Sequence, residues 1–142
     1  KGMGNTGVFY YYDDCINDVV MKMDNGKDLT VASNQWYFVA VTVDDDNEGK
    51  MYLNGFEVAH FATCCRPDVN GTGTFIIGMD LDDMMIPKEY FDGLIDEVRV
   101  FDYAVPQADI LANMTLTLGA EGVDGLVAYY RFNENLGKDV KD

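Results

Sequence analysis

Apolar residues along this chain fall into short runs broken by turn residues, and a sustained 3.6-residue period is missing until Pro106. Runs at residues 7–12, 19–23, 29–32, 36–43, 50–54, 56–61, 74–79 and 91–101 each predict a strand. Turn chemistry separates them. Asp24-Asn25-Gly26-Lys27 closes the second run, residues 44–49 form an acidic turn, and Asn54-Gly55 predicts a tight hairpin between residues 50–54 and 56–61. Residues 36–43 are apolar on both faces, as a central strand covered on both sides would be. Residues 62–73 and 80–89 read as loops. The one helical stretch lies near residues 106–113, with Pro106 suited to the first turn. Many short strands and one short helix predict an all-β, antiparallel β-sandwich rather than a parallel sheet flanked by helices.

The densest signal is Phe91-Asp92-Gly93-Leu94-Ile95-Asp96-Glu97-Val98-Arg99-Val100-Phe101. It places an acidic pair inside an apolar strand pattern, which is costly unless hydrogen bonds or a cation satisfy the carboxylates. Tyr103-Ala104-Val105-Pro106-Gln107-Ala108-Asp109-Ile110 follows, a turn and then helix. Upstream are Trp36-Tyr37-Phe38-Val39-Ala40-Val41-Thr42-Val43, Lys50-Met51-Tyr52-Leu53-Asn54-Gly55 and Thr74-Phe75-Ile76-Ile77-Gly78. In this order the four motifs resemble those of laminin-G-like, concanavalin-A-like lectin/glucanase jelly-roll domains. Near the end, Leu126-Val127-Ala128-Tyr129-Tyr130-Arg131-Phe132-Asn133-Glu134 is similar to the opening strand of the same family.

The resemblance implies a jelly roll over residues 1–118 lacking its opening strands, a linker at 119–125, and a last segment at 126–142. That segment is expected to open a following repeat, or to complete this or a neighbouring sandwich by edge addition. The chain then reads as a piece of a longer polypeptide. The resemblance also implies a structural calcium held by Asp96 and by Asp142, in positions where relatives place oxygen ligands. The alternative for the acidic pair is that Asp96 and Glu97 cap backbone N–H groups or pair with Arg99 or Lys88.

Composition narrows the function classes. The chain has 142 residues, enough for one domain with its own core. Its formal net charge of −15 repels phosphate backbones, so nucleic acid is not an expected partner, whereas cations and basic proteins are. No apolar run is long enough to span a bilayer as a helix. The three cysteines are Cys15, Cys64 and Cys65. Neighbours Cys64 and Cys65 sit too close for a relaxed mutual disulfide. Cys15 could bridge to either of them, leaving the other thiol over, or all three could be reduced and buried. Zinc lacks ligands, because His60 is the only histidine and no Cys-x-x-Cys occurs. Sequons at Asn70 and Asn113 add the expectation of N-glycosylation and, with the resemblance, an extracellular or cell-surface setting.

Catalysis is not expected. Glycan hydrolysis needs two carboxylates opposed across a cleft. Asp96 and Glu97 are adjacent, so on a strand they would point to opposite faces. Neither a Ser/His/Asp set nor a phosphate-cradling glycine loop can be assembled. Most of the tyrosines fall in predicted strands, where packing is their expected role. The sequence therefore predicts a non-catalytic adhesion or assembly repeat of a larger cell-surface or filament protein. Its expected partners are other copies or repeats, glycans or extracellular proteins. The alternative is a carbohydrate-binding module attached to a secreted glycan-active enzyme.

Overall fold

The computed structural model describes residues 6–8, 10–13, 16–20, 30–63, 75–81, 86–88, 90–119 and 123–134. The chain divides into two compact units. The first takes Lys1–Pro67 with Tyr103–Gly122, and the second Asp68–Asp102 with Val123–Asp142. Every strand pairing described is antiparallel, and one short helix accompanies the strands, so the chain is all-β as its pattern predicts.

In the first unit β1 (Thr6–Val8) pairs with β4 (Thr30–Ala32), and β2 (Tyr10–Asp13) with β3 (Ile16–Val20). The largest sheet has the order β5 (Val39–Val43), β6 (Glu48–Leu53), β7 (Phe56–Ala62). Its register lines up three rows, Val39–Leu53–Phe56, Val41–Met51–Ala59 and Val43–Gly49–Phe61. Alternation puts the rows through Met51 and Gly49 on one face, and a bulge in β7 opposite Met51 and Tyr52 separates them from the row through Leu53. Met51 is 1% exposed there, and Val43 and Phe61 are also buried. The Phe61 ring lies over Gly49, in the space that any β-carbon at that position would need. The opposite face carries the buried Tyr52 and a row of charged residues. Lys50 Nζ lies 3.8 Å from Glu57 Oε2, and His60 Nε2 lies 2.9 Å from Glu48 Oε2. These exposed cross-strand pairs contribute about 0–1 kcal/mol each.

The strand expected at 36–43 begins only at Val39. The ladder ends at Phe38: its carbonyl still accepts the Asn54 N–H at 2.8 Å, but its own N–H donates to Asn54 Oδ1 at 3.0 Å instead of to a main-chain carbonyl. Nor is β5 covered on both sides. Among the described residues it bonds to β6 alone, and Val39 and Val41 are exposed. The apolar density of 36–43 comes from an aromatic segment preceding an edge strand.

The Asn54-Gly55 hairpin forms as expected, with φ of 51° and 81° as a two-residue turn with both central residues left-handed requires. The helix α1 (Gln107–Asn113), expected near 106–113, packs on it. Pro106 stands at its N-cap, and its carbonyl accepts the N–H groups of Asp109 and Ile110. Ile110 is buried, Gln107 Nε2 donates to the Gly55 carbonyl at 3.0 Å, and Leu111 and Met114 lie against Gly55.

The second unit departs most from expectation. Residues 75–79 do not form a strand; Gly78 turns at φ 83° and its carbonyl accepts the Phe91 N–H at 2.8 Å. A short ladder of β8 (Asp80–Leu81) and β9 (Pro87–Lys88) lies instead within the expected loop at 80–89. The strand expected over 91–101 shrinks to β10 (Val98–Phe101). Two local features stop it: the Phe91 ring folds over Gly93, and Glu97 sits at φ 55°, a conformation no strand continues through. β10 pairs with β11 (Leu126–Tyr130) in the register Val98–Tyr130, Arg99–Tyr129, Val100–Ala128 and Phe101–Leu126. The ladder is closed by Asp102, whose N–H donates to the Gly125 carbonyl at 2.9 Å.

Candidate functional site

The acidic pair and the β10–β11 ladder build one polar cluster. The cross-strand pairing of Arg99 with Tyr129 places the guanidinium 5.3 Å from the centre of the Tyr129 ring. Glu97 lies just before β10, and its left-handed backbone gathers three donors around its carboxylate. Arg99 Nη2 is 3.2 Å from Oε2, the Tyr129 hydroxyl donates to the same oxygen, and Arg131 Nε is 3.9 Å from Oε1. The Arg99 side chain is only 9% exposed, so this pair sits largely out of water, where unpairing either partner is costly. Arg99 and the Tyr129 hydroxyl bond to Oε2 of Glu97, and Arg131 faces Oε1 at ion-pair distance. Chemically the cluster is an anchor between two strands.

Asp96 turns away from that cluster. It is exposed, and its Oδ1 accepts the N–H of Glu97 at 2.9 Å. The two acids thus follow the alternative reading of the sequence, one capping a backbone N–H and one pairing with Arg99. The expectation that they flank each other across a strand is corrected, because Glu97 is not in one. A calcium ion takes six to eight oxygens. Among the described residues no group of three or more His, Cys, Asp or Glu side chains is placed to hold a metal. Asp142 lies outside the described residues, as do Cys15, Cys64, Cys65 and Asn70.

Asn113 is half-buried in the last helical position of α1, and its Nδ2 donates to the Asp109 carbonyl at 2.8 Å. Thr115 of its sequon is exposed. Among the tyrosines, Tyr52 and Tyr129 are buried, whereas Tyr103 and Tyr90 are exposed, the latter at 68%.

Residues 86–94 carry a feature the pattern of the chain concealed. Ile86, Tyr90, Phe91 and Leu94 are all exposed, Leu94 at 77%. Of these, Phe91 and Leu94 fall in the strand expected over 91–101, whose alternation would bury one of them, and Ile86 in the expected loop at 80–89. The signal that could have shown otherwise is Gly93 beside Phe91, since a glycine weakens a strand and often marks a bend. The partners of Glu97 were likewise hidden. Tyr129 lies on β11 and Arg131 just beyond its end, and only the pairing of β11 with β10 brings them to the acid.

A family model described as the concanavalin A-like lectin/glucanases superfamily matches residues 12–111. The match runs from β2 through most of α1 and takes in every motif upstream of β11. No curated protein matches the chain, and no solved structure does. Among the described residues no helix is long and apolar enough to cross a membrane.

Proposed function

We propose that this chain, which belongs to the concanavalin A-like lectin/glucanases superfamily, is a non-catalytic extracellular module for adhesion or assembly within a larger surface or filament protein. The observation that carries this reading is the exposed apolar stretch at residues 86–94, on a chain whose formal net charge is −15. Exposed apolar side chains concentrated in one segment mark a contact surface more often than a solvated loop. The acid that the signature strand offers for chemistry, Glu97, is meanwhile engaged by Arg99, Arg131 and Tyr129. Its partners are other copies, extracellular proteins or glycans. A calcium at Asp96, glycans on Asn70 and Asn113, and a disulfide from Cys15 belong to the same proposal.

A second reading, a carbohydrate-binding module attached to a secreted enzyme, draws on the exposed Tyr90 ring, since aromatic faces are good platforms for apolar sugar faces. One experiment separates them. The protein and its Tyr90→Ser/Leu94→Ser variant are applied to a glycan array and to immobilised matrix proteins, with polysaccharide turnover assayed alongside. Protein binding or self-association lost in the variant supports the adhesive module. Glycan signal lost in the variant supports the second reading. Turnover of any polysaccharide overturns the non-catalytic part of both.

A further inference from the structure

We propose that the outer edge of β5 accepts an added strand from an extended, basic peptide segment of a partner protein. Strand β5 reads Val39-Ala40-Val41-Thr42-Val43, with no charge and no proline, and pairs with β6 without a bulge. Natural edge strands are usually protected by a lysine, a proline, a bulge or a cover. This one has none of the first three. Val39 and Val41 are 37% and 43% exposed, and among the described residues no strand but β6 bonds to β5.

The ladder shows which backbone groups are on offer. The Asn54 N–H donates to the Phe38 carbonyl, and the Asp44 N–H donates to the Glu48 carbonyl at 3.1 Å. Bonded pairs alternate in an antiparallel ladder, so residues 38, 40, 42 and 44 direct their backbone groups toward β6. Val39 and Val41 direct theirs outward. Their side chains also stand at the open end of the apolar rows, beside Leu53 and the exposed Phe56. An incoming strand would gain main-chain bonds from Val39 and Val41 and apolar contact from the same two residues.

Charge selects the occupant. Between Thr30 and Gly49 the chain has no Lys, Arg or His, while the exposed Asp45 and Asp46 follow directly after β5. A second copy would bring another formal charge of −15 to this edge. A segment with Lys or Arg at its N-terminal end, laid antiparallel, puts those cations beside Asp45 and Asp46.

This deepens the binding-module reading by naming a partner class and rests on that reading. The probes are two blocked synthetic peptides of alternating valine and threonine, one preceded by two lysines and one by two glutamates. Binding to the full chain is followed by fluorescence anisotropy at low and high salt. The lysine peptide is expected to saturate, to weaken with salt, and to bind about tenfold more tightly than the glutamate peptide. Val41→Pro removes an outward donor and leaves the bonds to β6 in place, so it is expected to weaken binding by about tenfold with the circular dichroism spectrum unchanged. If Val41→Pro fails to fold, Val41→Lys decides, because a cation on the edge repels the same probe. Equal affinity in wild type and variants overturns the proposal, and so does absence of saturable binding. Self-association that depends on Val41, without peptide binding, overturns it in favour of a second copy. None of these failures touches binding through residues 86–94, so the broader reading stands or falls separately.

Discussion

Replacing Gly55 with alanine tests the packing of the hairpin against α1 in a single step. Two costs arise. Gly55 has φ 81°, and placing an L-residue in the left-handed region costs about 1–2 kcal/mol. The new β-carbon would also fall within the Leu111 side chain, 3.0 Å from its Cγ and 3.2 Å from Met114 Sδ. Leu111 is partly exposed and can swing away, so this second cost is that of an off-rotamer side chain, about 0.5–1.5 kcal/mol. The expected destabilisation is their sum, about 1.5–3.5 kcal/mol. Urea unfolding followed by fluorescence measures it, with the m-value checked for constancy. Leu111→Ala as a second change separates the terms. The double variant should show a favourable coupling of about 0.5–1.5 kcal/mol, while the backbone cost remains. A loss below about 0.5 kcal/mol for Gly55→Ala would mean that the turn is not left-handed at Gly55 or that α1 does not rest on it. A full loss with no coupling to Leu111 would refute the contact alone.

Other substitutions probe the remaining parts. Met51→Ala empties the best-buried position of the central strand and should cost about 2–5 kcal/mol in urea unfolding; a loss under 1 would place Met51 near the surface. Glu97→Gln keeps the shape but removes the charge that Arg99 and Arg131 face, so stability should fall by about 1.5–3 kcal/mol, and a neutral result would show the cluster to be incidental. If Asp96 holds calcium, thermal denaturation of the wild type should rise with calcium over chelator, and Asp96→Ala should abolish the increase. Superimposable curves for the wild type in both buffers would remove calcium from the proposal.

The parts of the fold that the sequence made legible are those fixed by local chemistry. Asn54-Gly55 has few alternatives to a two-residue turn, and Pro106 before a short amphipathic stretch has few alternatives to a helix start; both are found where expected. Apolar density was a poorer guide. At 36–43 it merged an aromatic segment with a five-residue edge strand, because hydrophobicity does not record that Asn54 captures Phe38 by hydrogen bonds. At 91–101 alternation ran straight through Glu97, whose backbone is left-handed and whose carboxylate meets Arg99, Tyr129 and Arg131. Two of those three partners, Tyr129 and Arg131, come from β11 and the residue after its end, with Tyr129 32 residues further on, so no local pattern could reveal them.

Glu97 also shows why the most recognisable motif of this chain points to architecture. A carboxylate that performs acid–base or metal chemistry needs an oxygen able to reach substrate or ion. Both oxygens of Glu97 face cations, one of them on a guanidinium almost removed from water. Freeing Oε2 would strand the largely buried Arg99 charge beside the β10–β11 ladder, whereas Oε1 meets only the half-exposed Arg131 at 3.9 Å. Glu97, Arg99 and Tyr129 tie β10 to β11, while the contacts proposed above involve other residues: the uncharged strand at Val39 and Val41, and the exposed side chains Ile86, Tyr90, Phe91 and Leu94. Both can be changed one side chain at a time without disturbing the anchor, which makes contact at these surfaces separable from folding by experiment.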